Sequence, residues 1–115
     1  MKNDLEKLMK AASEMQESMQ KAQEELNDLT VTGKAGTGEK VVTVTMNGRH
    51  DLRRVKIEPS LLTEPIDFLE DLVAAAVNDA IRKVEKVSRD KVNDLAKSFT
   101  LSKDLLNDDK AKDED

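Results

Sequence analysis

The first 29 residues place apolar side chains at alternating spacings of three and four, and this pattern restricts the fold more than any other feature. Such spacing is typical of one helix face and predicts a helix from about residue 3 to residue 28. The positions beside the row are mostly uncharged, so we expect it to pack on helices of the same fold or of a second copy. The row consists of Leu5, Leu8, Ala12, Met15, Met19, Ala22, Leu26 and Leu29. We interpret Met15 and Met19 as core residues because of their helical spacing.

A segment with strand character follows this helix. Residues 30–32 predict a short strand, and the glycine-rich stretch 33–38 predicts a flexible hairpin loop. This loop does not lead into a helix, so it is a poor phosphate cradle. Residues 40–46 alternate between two faces and are rich in β-branched side chains, which predicts a second strand. Asn47-Gly48 predicts a tight type I′ turn into a third strand at residues 53–58, which completes an antiparallel meander.

A second long helix is predicted after Pro59, which ends the third strand. Leu61 and Leu62 are expected to cover one end of the core. Thr63 and Pro65 mark the helix start, and the apolar spacing supports a helix to about residue 98. The apolar positions are Ile66, Leu69, Val73, Ala76, Val77, Ala80, Val84 and Val87.

These elements define an α+β fold with the order α-β-β-β-α and a three-stranded antiparallel meander between two long helices. We expect residues 1–102 to form a single domain and residues 103–115 to form a disordered acidic tail. A seven-residue strand spans roughly 23 Å, whereas helices of about 26 and 33 residues span roughly 39 and 50 Å. Helices that overhang the sheet need a cover for their apolar stripes, which favours a homodimer with projecting helical arms.

Composition excludes several classes of function. The 115 residues contain no cysteine and one histidine, His50, whose neighbour Asp51 is expected on the opposite strand face. No metal-ligand spacing occurs, so we expect neither an enzyme nor a protein that holds a metal, a cofactor or a small-molecule substrate. The charged N-terminus lacks the apolar stretch of a signal peptide, and the longest apolar run, Leu72 to Val77, is far shorter than a membrane span. A cytoplasmic protein is expected.

Net charge is −5, yet residues 34–58 and 80–97 are locally basic. In the second segment Arg82, Lys86 and Arg89 are spaced by four and three, so they form a cationic stripe that can follow a phosphate backbone. Neutralisation by the interleaved acids would instead make this a solvated helix face, and the pattern favours neither interpretation. Those acids are Glu85, Asp90 and Asp94. The sequence also leaves open whether the strand cations Arg49, Arg53, Arg54 and Lys56 contact such a phosphate backbone.

Two sequence features are specific in combination: the stretch from Glu70 to Ala80, and Asn47-Gly48 followed after four residues by Arg-Arg-Val. Segments that accompany them are Leu8-Met9-Lys10, Met15 to Gln20, Glu24-Glu25-Leu26, Val31-Thr32-Gly33, Val42 to Gly48, Arg53 to Ile57 and Pro59 to Leu62. Through these stretches, residues 5–90 resemble the YbaB/EbfC family of nucleoid-associated proteins.

The resemblance implies a tweezer-like homodimer that binds double-stranded DNA and alters its conformation. It also implies a nucleoid location, with roles in nucleoid organisation, DNA protection and regulation of gene expression, and no catalytic site. The helical arms are the implied DNA contacts, which on this chain correspond to Lys7, Lys10, Lys21, Arg82, Lys83, Lys86, Arg89 and Lys91. The alternative is a protein–protein interaction module of a replication or repair assembly, which the negative net charge also fits.

Overall fold

A computed structural model describes the backbone of residues 2–113 and the side chains of residues 3–98. Its elements confirm the α+β class and the order α-β-β-β-α. The chain divides into two compact units, one of residues 24–88 and one of residues 1–23 with residues 89–115. The elements are α1 (Lys2–Asp28), β1 (Thr30–Thr37), β2 (Lys40–Asn47), β3 (Leu52–Ile57), a 3₁₀ turn (Pro59–Thr63) and α2 (Ile66–Asp113).

The three strands form an antiparallel meander with β2 in the centre. Alternation along β2 assigns the two faces, because Val42, Val44 and Met46 are buried whereas the residues between them are half-buried. Each buried residue lies opposite small or apolar residues of β1: Val42 pairs with Ala35, and Val44 pairs with Gly33. A register shift between Thr45 and Met46 marks a bulge in the pairing with β3.

The core of the 24–88 unit lies between the apolar face of the sheet and α2. Its buried residues form one cluster with partly buried neighbours on β1 and α2. Gly33 sets the closeness of this packing, since a Cβ added there would lie 2.3 Å from the carbonyl oxygen of Ala76 and 2.7 Å from Cβ of Ala80. The cluster comprises Val42, Val44, Met46, Leu61, Ala76, Ala80 and Val84.

The glycine-rich stretch is mainly strand, so its interpretation as a flexible hairpin loop is wrong. Gly33 and Gly36 lie in β1 and pair with Val44 and Val41. The turn itself is confined to Gly38 and the following residue, and Gly38 has a φ of 62°, which glycine adopts without steric cost. Glycine is required at Gly33 because β1 lies close to α2 there, and not because the chain must be flexible.

The connection between β2 and β3 also differs from the predicted type I′ turn. It contains four residues, 48–51, and the positive φ, 64°, belongs to His50. The side-chain oxygen of Asn47 accepts hydrogen bonds from the backbone N–H groups of Arg49 and Asp51, both at 3.0 Å, which closes the loop as an Asx turn does. Gly48 serves a close approach, because an added Cβ would lie 1.5 Å from the carbonyl oxygen of Leu26.

Both helices depart from expectation in one respect. Of the apolar row of α1, Ala22 and Leu26 are buried, whereas Met15 and Met19 are exposed, so their interpretation as core residues is wrong for the single chain. Helix α2 ends at Asp113 instead of near residue 98. An established helix extends without a new nucleation cost, so continuation needs little packing. The division into a domain of residues 1–102 and a disordered acidic tail stays a prediction.

Candidate nucleic-acid interface

Two cations of the predicted stripe lie on α2 within the 24–88 unit. Arg82 and Lys86 are one helical turn apart and both are exposed. Glu85, the acid between them, forms an ion pair with neither side chain in the described part of the chain. Ion pairs among the described residues include those of Lys40 with Glu64, Lys56 with Glu58 and Lys83 with Asp79. The geometry therefore favours accessible cations over a face neutralised by local pairing.

Lys83, also in the predicted DNA-contact set, has a structural contact. Its ammonium group donates a hydrogen bond to the carbonyl oxygen of Thr32 at 2.7 Å and lies 3.1 Å from the Asp79 carboxylate. The same carboxylate accepts a hydrogen bond from the backbone N–H of Lys34 at 3.0 Å. The bond from Lys34, followed by the bond from Lys83 and the nearby charge of Arg82, lowers the pKa of Asp79. Asp79 and Lys83 thereby attach α2 to the outer edge of β1.

Sequence reasoning missed this attachment, although one signal for it was present. Asp79 and Lys83 are spaced at i, i+4, which favours an ion pair on a helix. Their contacts with β1 connect residues 45 and 51 positions apart, and helical spacing gives no information on such contacts.

The remaining predicted cations belong to the unit of residues 1–23 and 89–115. Lys7, Lys10 and Lys21 are exposed on α1, and Arg89 is exposed on α2. Lys91 is half-buried. The assignment of these residues as DNA contacts stays a prediction.

Two of the strand cations lie on one face of the sheet, and a third lies in the loop at its end. Arg54 and Lys56 lie opposite Thr45 and Thr43 of β2, on the face turned away from the apolar core. Arg49 lies in the β2–β3 loop and is exposed. The sheet face that α2 does not cover therefore carries positive charge, a feature that the sequence alone left unassigned.

The apolar face of β3 is the main uncovered hydrophobic surface of the sheet. Val55 and Ile57 lie directly opposite the fully buried Val44 and Val42, yet they are 40% and 37% exposed. Leu52, opposite Met46, is 43% exposed. Beyond the strand, Leu62, Ile66 and Phe68 are exposed as well. The cover provided by α2 thus ends at β2 within a single chain.

The described residues give little support to a catalytic or metal-binding site. His50 is exposed, and the carboxylate of Asp51 accepts a hydrogen bond from the side-chain amide of Asn47 at 3.3 Å. Within residues 3–98, no three histidine or acidic side chains are grouped so that they could hold a metal ion. No helix in the described part of the chain is both long and apolar enough to cross a membrane.

Comparison with known proteins defines the class. Residues 1–99 match the model of the YbaB/EbfC DNA-binding family. The chain is 50% identical over 105 residues to a nucleoid-associated protein of Legionella pneumophila strain Philadelphia 1, covering 91% of this chain and 92% of the relative. A nucleoid-associated protein of the Paris strain is 50% identical over 103 residues, with 90% of each chain covered.

A solved structure agrees with the fold. The crystal structure of an uncharacterized protein from Helicobacter pylori superposes with a TM-score of 0.64 at 25% identity, covering 77% of this chain and 92% of the other. The chain belongs to the YbaB/EbfC DNA-binding family.

Proposed function

We propose that this protein is a nucleoid-associated protein that binds double-stranded DNA as a homodimer and alters its conformation. The observation that carries the proposal is the pair of exposed cations, Arg82 and Lys86, in a member of a DNA-binding family. Neither side chain forms an ion pair among the described residues. Cations of this kind bind duplex DNA by displacing its condensed counterions. The roles proposed are nucleoid organisation, DNA protection and regulation of gene expression.

Support for the homodimer comes from the two edges of the sheet. On the outer edge of β1, the carbonyl of Thr32 and the N–H of Lys34 are already bound by Lys83 and Asp79. On β3 no further strand pairs with the outer edge among the described residues. An open edge strand with an exposed apolar face is a ready template for pairing with another chain. The asymmetry favours β3 as the dimer contact.

Charge complementarity supports a second copy as the occupant of this surface. The β3 region combines exposed apolar side chains with the cation Arg53. The start of α2 combines exposed apolar side chains with the acids Asp67, Glu70 and Asp71. In a twofold dimer each surface can meet its complement on the other copy.

The homodimer is tested with Val55→Asp, which places a charge on the apolar face of β3. Because an unpaired charge excluded from water costs at least about 3 kcal/mol, the dimer dissociation constant should rise about a hundredfold or more. Thr45→Asp is the matched control, since it adds the same charge on the opposite sheet face. Sedimentation analysis should find a monomer for the first variant and a dimer for the second. A wild-type monomer at all concentrations would contradict the proposal.

DNA binding is tested by titration with salt. The logarithm of affinity should fall with the logarithm of salt concentration, with a slope of about −0.9 for each phosphate contact. Arg82→Gln/Lys86→Gln should reduce the magnitude of the slope by up to about 1.8. Lys40→Gln/Lys97→Gln changes the net charge equally outside the proposed contacts and should leave the slope near its wild-type value. Unchanged binding by the first variant would exclude this helix face.

Altered DNA conformation has a separate readout. A duplex labelled at both ends with a fluorescent donor and acceptor should change its transfer efficiency when the protein binds, since bending shortens the distance between the ends. Binding without any change in end-to-end distance on linear or mini-circle DNA would limit the function to DNA coating.

A protein–protein interaction module is the second candidate function. It is favoured by the exposed apolar residues on α1, among them Leu5 and Leu8, which suit packing against a partner helix. The two functions differ in their response to nuclease: association with a replication or repair protein should survive complete DNA digestion, whereas DNA-bridged association should not.

A further inference from the structure

We propose that the polar face of the sheet is a second DNA-contact surface, centred on Lys34 and Arg54 and directed at the phosphate backbone. This inference rests on the proposed function, and it adds a contact surface outside the helical cations. Strand pairing places the relevant residues in two rows across the sheet. One row is Lys34, Thr43 and Lys56, and the other is Thr32, Thr45 and Arg54.

Register fixes the direction of both rows. The β2 residues that alternate with Thr43 and Thr45 are Val42, Val44 and Met46, which are buried on the core side. Side chains alternate strictly along a strand, so both rows point away from the core. A concavity of about 820 Å³ lies on this face, lined by residues that include Thr32, Lys34, Thr43 and Lys56. The face is therefore open, and it presents hydroxyl groups together with positive charge.

The charges on this face are unevenly neutralised. Lys56 lies 4.0 Å from Glu58, and both Glu58 and Glu39 line the concavity, so part of the positive charge there is balanced. Lys34 and Arg54 form no ion pair among the described residues; the contact of Lys34 with Asp79 uses its backbone N–H and leaves its ammonium group available. These two cations are the ones expected to displace counterions from DNA.

Rigidity and hydroxyl groups suit the surface to a phosphate backbone. Neighbouring strands are about 4.8 Å apart, so the backbones of Lys34 and Lys56, which share a row, are held about 10 Å apart. Arg54 lies in the adjacent row. Threonine hydroxyls and cationic side chains are common ligands of phosphate oxygens, and such contacts position DNA without reading its sequence. The surface lacks aromatic side chains on which bases could stack, so backbone contact to duplex DNA is favoured over single-strand binding.

The test compares Lys34→Gln/Arg54→Gln with Lys40→Gln/Lys97→Gln, which has the same net charge. The sheet variant should lower the magnitude of the salt slope by up to about 1.8, and the control should not. Far-UV circular dichroism checks that both variants fold. An unchanged slope in a well-folded sheet variant, while wild-type protein binds DNA, would overturn the sheet contact alone. Absence of wild-type binding would overturn the proposed function and this inference together.

Lysine acetylation gives an independent measurement on the wild-type protein. Bound duplex DNA should protect Lys34 from an acetylating reagent at least several-fold, whereas Lys97, which is exposed and outside the proposed contacts, serves as the internal reference. Equal acetylation of Lys34 with and without saturating DNA would contradict the proposal.

Discussion

Gly33→Ala is expected to destabilise the protein because it forces α2 away from β1. The added Cβ would lie 2.3 Å from the carbonyl oxygen of Ala76 and 2.7 Å from both Cβ and N of Ala80. Two of these three contacts are with helix backbone, so rotation of one side chain cannot relieve them. Overpacking of a core costs about 1–3 kcal/mol, and the upper end applies when backbone must move. Alanine also lowers the conformational entropy of the unfolded chain, which by itself would stabilise the folded state by up to about 1 kcal/mol.

The net expectation is a loss of about 2 kcal/mol in the free energy of unfolding, or a fall in Tm of about 8–16 °C for a small domain. Urea denaturation followed by circular dichroism measures it, at one fixed protein concentration because dimerisation contributes to apparent stability. Gly38→Ala is the matched control: an added Cβ meets nothing within 4 Å, and only the φ of 62° is strained, which costs about 1 kcal/mol. If Gly33→Ala is no more destabilising than this control, the close helix contact does not limit the packing.

Two further changes test the core and the β1 attachment. Leu61→Ala should cost about 2–5 kcal/mol because Leu61 is fully buried, whereas Leu62→Ala should cost less than about 0.5 kcal/mol because Leu62 is 73% exposed, and thermal denaturation compares the two. The hydrogen bonds from Lys34 and Lys83 lower the pKa of Asp79 in the folded protein from its ordinary value of 3.8. The ionised carboxylate therefore stabilises the fold at pH values above 3.8. This stabilisation is lost as the pH falls through the lowered pKa of the folded state. The advantage of wild-type protein over Asp79→Asn should therefore be constant near pH 6–7 and shrink below about pH 4. An advantage that does not decrease at all below about pH 4 would contradict the assignment.

The order of elements could be predicted because each rests on local periodicity. The apolar row of α1, the alternation of β2 and Pro59 all act through neighbouring residues, and their elements were confirmed. The glycine residues could not be interpreted in the same way. Gly33 is required by Ala76 and Ala80, which are more than 40 residues away, so no local pattern distinguishes it from a loop glycine.

The candidate interface was predictable in part for a similar reason. Helical spacing identified Arg82 and Lys86 as neighbours, and the structure leaves both exposed. Spacing along the sequence could not place Lys34 and Lys56 in one row of the sheet. Their alignment depends on two strand registers, because each residue pairs with Thr43 of the central strand. It also could not predict that the structure would engage Lys83 in a contact with β1.

Net charge is a poor guide to partners here, because charge acts over a shorter distance than the length of the molecule. Asp67 lies in the first turn of α2, where negative charge is stabilised by the helix dipole, and Asp71 lies one turn further on. Arg82 lies eleven residues after Asp71, which corresponds to about 16 Å along a helix. Screening at physiological salt acts over about 8 Å, so these acids have little effect on the potential around Arg82. A chain with a net charge of −5 can therefore present surfaces that attract phosphate. Adding an acid next to the cations, for example by Asn78→Glu one helical turn before Arg82, should weaken DNA binding more than an equal charge added at the equally exposed Ala74 near the helix start.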